Sequence, residues 1–380
     1  MKKITTFEAA CILCGYGVGG TIMTMPYLAT KAGVLPAAII LVLSYLIGML
    51  IAAYTADIAL KARSITGHEC QVLTQFELFL FNGPLKKILT IIYFVFLALI
   101  AVSNLAAYVS ESGQLVAALL PVTEKIGSVI FYIFAALVVL AGLKGVAIGE
   151  RAMVILMFVI LAVLAVPSFS HFSGNPLPTG DGDPLSFIRY YGYAILALSA
   201  PLAIPQVVDG LDGDREAIKK SMWVGFGMNF LSIIIITFFT LKTATEVTDI
   251  AMISWTSALP SWAMLLGVLY ILFALITSFW GVSNGLAQIV TETFHCNDKI
   301  SWLAATLPSF VFALFTSAGF MSLLGIAGGL IGLLNSILVV PLYLGARKRV
   351  PETILGRFAA TPWIILNMIF CLVYAVGCII

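Results

Sequence analysis

The stretch "GYGVGGTIMTMPY" (residues 15–27) decides how this chain is read. It lies in the first apolar run, where a membrane-crossing helix would ordinarily be built from Leu, Ile and Val. Four glycines (Gly15, Gly17, Gly19 and Gly20) fall within six residues, and Pro26 follows. Each glycine inside a helix costs about 1 kcal/mol relative to alanine. A surface for close helix packing would place small residues three or four apart on one face. These four point in several directions, so the stretch is expected to unwind rather than to pack.

The surrounding chain is 380 residues long, 61% hydrophobic and 10% charged, against about 25% charged in a typical soluble domain. Its mean hydropathy is +1.09. Apolar runs long enough to cross a bilayer recur throughout, and the class is an all-α polytopic membrane protein. Eleven transmembrane helices are expected, near 5–30, 34–60, 86–112, 127–143, 151–167, 186–208, 220–241, 260–290, 300–318, 320–344 and 357–379. The least secure division lies at "TSAGFM" (316–321), where the apolar signal continues. The first run has the look of a signal peptide, but ten more spans and the internal break keep it in the mature chain.

With the N-terminus in the cytoplasm, sixteen of the twenty Lys and Arg residues fall on the inner side; Lys31, Lys125, Arg189 and Lys242 fall outside. This bias predicts a multi-pass protein of the cell membrane with an extracytoplasmic C-terminus. The chain has no basic tail and no soluble domain, so nucleic acid is not an expected partner; membrane lipids are. Cys11 and Cys14 form a C-x-x-C inside an apolar helix, without a second Cys or His pair to complete a metal site, and are taken as packing residues. The loops "HECQVLTQFELFLF" (68–81) and "TEVTDIAMISWTSALP" (245–260) carry apolar residues in polar contexts. In the first, Val72, Phe76, Phe79 and Leu80 share one helical face, as in an interfacial helix; packing on the bundle is the alternative for both.

The sixth span carries a second interruption. "YYGYAILALSAPLAIPQVVDG" (190–210) places Pro201 and Pro205 mid-crossing, and a proline inside a helix costs about 3 kcal/mol. Five spans separate the two breaks, and an odd number inverts the second unit. A 5+5 inverted repeat is therefore expected: 1–167 as the first five-helix repeat, 186–344 as the second, and 357–380 as one extra helix. Helices 1 and 6 would both be unwound mid-membrane. Irregular backbone survives at membrane depth only where it is buried in protein or lines a cavity, and interruptions at matching positions mark transporter binding sites. Freed N–H groups and half-helix N-termini attract a carboxylate, and freed carbonyls attract a cation or ammonium.

Three stretches, "GYGVGGTIMTMPYLATKAG", "LSAPLAIPQVVDGLDGDREAIKKSMWVGFG" and "ALITSFWGVSNGLAQIV", resemble the amino acid/auxin permeases and the hydroxy- and aromatic amino acid permeases. The resemblance implies the leucine-transporter-type fold of the APC superfamily. In it, spans 1, 2, 6 and 7 move against spans 3, 4, 8 and 9 by alternating access. It implies a substrate α-carboxylate on Gly17, Gly19, Gly20 and Thr21, and an α-amino group at the carbonyls of Ser199, Ala200 and Pro201. Asn104 and Tyr108 are candidate lining residues, with ordinary helix–helix hydrogen bonds as the alternative. Related sodium-coupled carriers imply a Na⁺ site from the carbonyls of Gly15 and Val18 and the hydroxyls of Thr277 and Ser278. The alternative is a Thr-Ser pair bonding its own helix.

Other relatives couple to protons, some with a lysine on helix 5, but 151–167 holds no Lys or Arg beyond Arg151. Glu8, Asp57 and Glu111 are placed near span ends and no ionisable residue at mid-depth, which favours Na⁺ while leaving H⁺ open. No cofactor is expected beyond a coupling ion. The same scarcity of charge favours a neutral amino acid substrate, apolar or aromatic given Tyr16, Phe273 and Trp280. The expectation is thus a symporter of neutral amino acids and not an enzyme, with a non-transporting sensor or a channel of the same fold as the alternative.

Overall fold

The computed structural model describes residues 3–380 other than 20, 69, 82 and 175. Its helices are α1 (Thr6–Ala32), α2 (Val34–Thr66), α3 (Val72–Phe79), α4 (Lys86–Leu119), α5 (Glu124–Val139), α6 (Gly142–Ser168) and α7 (Pro184–Ala197). They continue with α8 (Ala203–Gly210), α9 (Arg215–Thr243), α10 (Ala251–Ser257), α11 (Trp262–Phe294), α12 (Asp298–Phe315), α13 (Phe320–Arg349) and α14 (Thr361–Ile379). Among the described residues, eight helices are long and apolar enough to cross a membrane, or nine if the bent α1 is one span. The fold is therefore an all-helical, multi-spanning bundle. The eleven expected spans all fall on helices, but α5 has only 16 residues and the sixth is divided between α7 and α8.

Local chemistry sets several boundaries. Thr5 and Glu8 form a reciprocal capping box at the start of α1, Glu8 N–H donating to Thr5 Oγ1 at 3.2 Å and Thr5 N–H to Glu8 Oε2 at 2.8 Å, so two orphan donors are satisfied. Thr123, Asp183, Asp214 and Asn297 accept from the first turns of α5, α7, α9 and α12. The α1–α2 turn is made by Gly33 at φ +85°, packed against Thr179, a left-handed position that a side chain would strain. Residues 316–319 separate α12 from α13, placing the insecure division where expected.

One boundary needs correction. The fifth span, expected at 151–167, begins at Gly142, and its additional first turns include Glu150, whose side chain is buried. The charges at Lys144, Glu150 and Arg151 had concealed this start, because a hydropathy reading stops at charge whatever the backbone does.

At the centre of the bundle, α1 packs on α9, α11, α7 and α6, while α4 packs on α5, α13, α12 and α11. Helix α1 is buried at every described residue from 9 to 26, and α11 is largely buried as well. The outer faces carry aliphatic side chains, for example Leu35, Ile39, Val42, Leu43 and Leu46 on α2 and Ile88, Ile91 and Val95 on α4, as lipid contact requires.

Both amphipathic loop segments pack on the bundle. Phe76 and Phe79 of α3 are buried as expected, but Val72 and Leu80 are only half-buried while Leu73 and Gln75 are buried. The Phe76 and Tyr93 rings pack at 4.2 Å, tilted by 43°, and Gln71 and Thr74 bond Gln288 and Glu292 of α11. Trp255 of α10 donates from Nε1 to Ser168 Oγ at 2.8 Å and stacks on Phe239 at 5.3 Å. Cys11, Cys14, Cys296, Cys371 and Cys378 are free thiols.

Candidate functional site at the two helix interruptions

The first interruption falls at Gly19, whose backbone is non-helical (φ −34°, ψ −173°); Thr6–Gly19 and Thr21–Ala32 meet at 51°. The second lies between α7 and α8, where residues 198–202 leave the helical path. The two meet. A β-carbon at Gly17 would overlap the Ala197 carbonyl oxygen at the end of α7 and the Asn229 amide of α9. Asn229 Nδ2 donates to Ala197 O at 3.1 Å, and its buried Oδ1 has no partner among the described residues. Gly17 is thus also a close-packing position, and the packing and unwinding readings both hold for parts of the same glycine cluster.

The wall opposite comes from α11 and α4. Ser278 Oγ donates to Gly15 O at 2.7 Å and lies 3.2 Å from Tyr16 O, satisfying two carbonyls next to the break. A β-carbon at Gly19 would overlap Ser278 Oγ and stand 3.2 Å from the Tyr108 hydroxyl. Thr277 instead bonds within its own helix, to Ala274 O at 3.0 Å. The Thr-Ser pair therefore divides, one hydroxyl crossing to α1 and one serving α11. Val18 is buried beside them.

Thr21 also turns back on its own helix, Oγ1 lying 3.3 Å from Gly17 O. Asn104 is buried on α4 with Oδ1 unpartnered. Ser199 and Ala200 are buried, but the Ala200 carbonyl accepts from Ala203 N–H and Ile204 N–H, both at 3.0 Å, to start α8. Pro201 lines a separate cleft of about 50 Å³ with Tyr54, Tyr93 and Asn367. Gly20 lies outside the described residues.

The aromatic side chains also separate. Tyr16 lies against the Leu202 backbone and against Gly281 of α11, so it touches both interruptions. Trp280 faces away: its Nε1 donates to Ala135 O of α5 at 2.9 Å, and its ring covers Gly149 of α6. Phe273 is half-buried against the core.

Three polar residues at this junction were not singled out in the sequence. Asn229 joins α9 to both breaks. Gln206 fastens α8 to α11, donating to Leu202 O at 2.8 Å and Gly281 O at 3.2 Å while accepting from Asn284 Nδ2 at 2.6 Å. The third is Glu150, fully buried where α6 meets Gly15; it adds a buried acid to those placed near span ends. Asn229 and Gln206 could have been flagged as polar residues in apolar runs, but their partners are not visible in one dimension. Asp57, placed near a span end, is buried as well. It pairs with Lys61 at 3.0 Å and accepts from Tyr343 Oη at 3.0 Å, Thr353 Oγ1 at 3.0 Å and Ile354 N–H at 2.8 Å. Its lone pairs are taken, which makes it a structural anchor.

Comparison with known proteins bears on the fold and the family. The fold matches that of Mhp1, a nucleobase-cation-symport-1 family transporter in a closed conformation with bromovinylhydantoin bound, with a TM-score of 0.69 and 13% identity, over 99% of this chain and 92% of that one. It matches MhsT in complex with L-phenylalanine with a TM-score of 0.70 and 12% identity, over 98% of this chain and 99% of that one. In sequence the chain is 26% identical over 272 residues to the tyrosine-specific transport system 1 of Haemophilus influenzae, covering 64% of this chain and 66% of that relative. Residues 2–379 match the tryptophan/tyrosine permease family, and with the leucine-transporter-type fold and the paired helix interruptions in place, the chain belongs to that family.

Proposed function

We propose that this protein is a secondary carrier, not an enzyme, that moves a neutral amino acid, aromatic or apolar, across the cell membrane by alternating access. The observation that carries the proposal is the meeting of two interrupted helices around buried polar atoms that lack protein partners, Asn229 Oδ1 beside Gly17 foremost. Backbone polar groups are not left irregular in a membrane without a use. At paired breaks that use is to hold the carboxylate and amino ends of a substrate. Gly17, Gly19, Gly20 and Thr21 would take the carboxylate. Ser199 and Pro201 have carbonyls for the ammonium, while that of Ala200 is already committed to α8. Asn104 and Asn229 supply side-chain partners from the walls.

The neighbours have closed onto Gly17 and Gly19, so admitting a substrate requires α1 to move relative to α11 and α4. Helix packing supports such a division. Helices α1, α2, α7, α8 and α9 contact one another, as do α4, α5, α11 and α12, and the main seam between the two sets is α1 against α11. In this reading the chain is a 5+5 inverted repeat with a moving bundle and a scaffold, and α14 is an eleventh, additional span. The Lys and Arg distribution supports a cytoplasmic N-terminus and an extracytoplasmic C-terminus. The relative from Haemophilus influenzae is described as tyrosine-specific, and MhsT is seen with L-phenylalanine; both favour an aromatic substrate, and Tyr16 at the junction offers a ring to pack against it. The coupling ion is a monovalent cation, Na⁺ or H⁺, acting near Gly15, Val18, Thr277 and Ser278.

The test is uptake into proteoliposomes with a panel of labelled amino acids. Saturable counterflow of tyrosine, tryptophan or phenylalanine is the expected result. Flux that never saturates and shows no counterflow would instead describe a channel. Substrate binding without flux would describe a sensor.

A further inference from the structure

Glu150 is a buried acid that the site described so far leaves without a task. It is 0% exposed, and among the described residues neither Oε1 nor Oε2 has a hydrogen-bond partner. Its carboxyl fills the space that a side chain at residue 15 would need. A β-carbon on Gly15 would overlap Oε2, stand 2.7 Å from Cδ, and lie 2.9 Å from Thr277 Cβ. Glu150 thus sits where α1, α6 and α11 converge, against the residue whose carbonyl receives Ser278 Oγ.

Among the described residues, its ionisable surroundings provide no counter-charge. From α1, Cys11 and Cys14 face it, and neither thiol carries positive charge. Arg151, next in sequence, turns to the half-exposed end of the bundle and pairs with Glu8 of α1 at 3.2 Å. On α11 the nearest ionisable group, Tyr270, faces Cys14. Among the described residues of α5 and α9, none is found interacting with Glu150. A carboxylate enclosed without a donor or a cation is one of the least tolerable groups in a protein interior. When the bundle is closed as here, the charge must therefore be neutralised by something that enters from solution.

We infer that Glu150 is the coupling residue of the transport cycle, its carboxylate neutralised once per cycle by a monovalent cation, H⁺ or Na⁺, which is released when the bundle opens to the other side. The inference rests on the carrier reading above. The shared chemistry is a single positive charge delivered to a carboxylate beside backbone carbonyl oxygen. With H⁺, one O–H bond forms on Glu150 with a proton from one compartment and breaks to the other. With Na⁺, the carboxylate joins oxygen ligands of the kind a hard cation takes. In both cases closure is favoured only when the cation is aboard, and that differential affinity is what links its gradient to the substrate's. Gly15 then has a defined part, because only a residue without a side chain leaves room for the carboxyl.

The test compares the wild type with Glu150→Gln, which keeps the shape and removes the charge. Proteoliposomes are loaded for counterflow, and separately given a pH gradient or a Na⁺ gradient for concentrative uptake. Coupling between linked ligands is worth about 5–150-fold, so concentrative uptake should fall by at least about fivefold in the variant while counterflow stays measurable. Wild-type accumulation under the pH gradient alone assigns H⁺, and accumulation under the Na⁺ gradient alone assigns Na⁺. In detergent, the wild type's melting temperature should respond to the assigned cation and that of Glu150→Gln should not. A variant that accumulates substrate as well as the wild type, or a wild-type melting temperature indifferent to both Na⁺ and pH, overturns the inference. Absence of counterflow of every neutral amino acid in the wild type overturns the carrier reading and this inference together. Wild-type counterflow combined with undiminished coupling in the variant overturns this inference alone.

Discussion

Replacing Asp57 tests whether the buried polar groups of this bundle are held by pairing. Asp57 and Lys61 lie one turn apart on α2, 1% and 2% exposed. The carboxylate also accepts from Tyr343 of α13 and from Thr353 and Ile354 beyond it, while Lys61 Nζ donates to the Glu352 carbonyl. One carboxylate thus ties α2 to α13 and to the segment leading into α14. Asp57→Ala leaves the Lys61 charge buried without its anion and strands three donors, so removing it should cost about 3–5 kcal/mol, the usual penalty for breaking a buried pair. Taking about 2.1 cal/mol/K per residue as an upper bound on the unfolding entropy, the melting temperature should drop by about 4 °C or more. The drop is larger if helices persist in the unfolded state, because less entropy is then gained. The assay is thermal unfolding in detergent, compared with the pair Asp57→Asn plus Lys61→Met. That pair removes both charges and keeps an acceptor oxygen for Tyr343 and Thr353, giving up only the Ile354 N–H bond, so it should lose less than half as much. A single variant as stable as the wild type, or a double variant as damaged as Asp57→Ala, would refute the pairing argument.

Ser278→Ala removes the hydroxyl that bridges α11 to the Gly15 and Tyr16 carbonyls. With a net bond worth about 0.5–1.5 kcal/mol, concentrative uptake should fall by up to about tenfold, while Thr277→Ala, which breaks only a bond within α11, should have a smaller effect; equal losses in the two would refute the distinction. Gly17→Ala drives a β-carbon into Ala197 O and the Asn229 amide, and overpacking of about 1–3 kcal/mol should lower both melting temperature and uptake. Preserved uptake in that variant would show that α1 and α7 do not depend on this close approach. Trp255→Phe loses the Nε1 bond to Ser168 but keeps a ring to stack on Phe239, so about 1 kcal/mol of stability should go while counterflow persists. Loss of counterflow would mean that α10 takes part in gating.

Much of the architecture was legible in one dimension. Hydropathy located the spans because a lipid-facing helix must be apolar over its whole length, and the loops between them collected the charge. Glycine and proline located the interruptions because their effect on the backbone is local and independent of neighbours. The same logic failed at α6. Lys144, Glu150 and Arg151 looked like the end of a span, whereas Glu150 turns inward to Gly15 and Arg151 outward to Glu8. A charge count cannot tell these directions apart. Thr277 and Ser278 present the same difficulty at smaller scale, since adjacent hydroxyls on a helix project about 100° apart and only one of them can face α1.

The sequence by itself determined the helical class, the membrane setting and the two places where helices give way, because each depends on properties of a contiguous run of residues. Tertiary structure alone decided that the breaks touch through Gly17 and Asn229, that Asp57 is fully paired and Glu150 is not, and that Ala200 has already given its carbonyl to α8. Those outcomes depend on which side chain from a distant helix arrives at a given carbonyl, carboxylate or glycine. A polar group's role inside this bundle is set by its partner, and the partner is contributed from elsewhere in the chain.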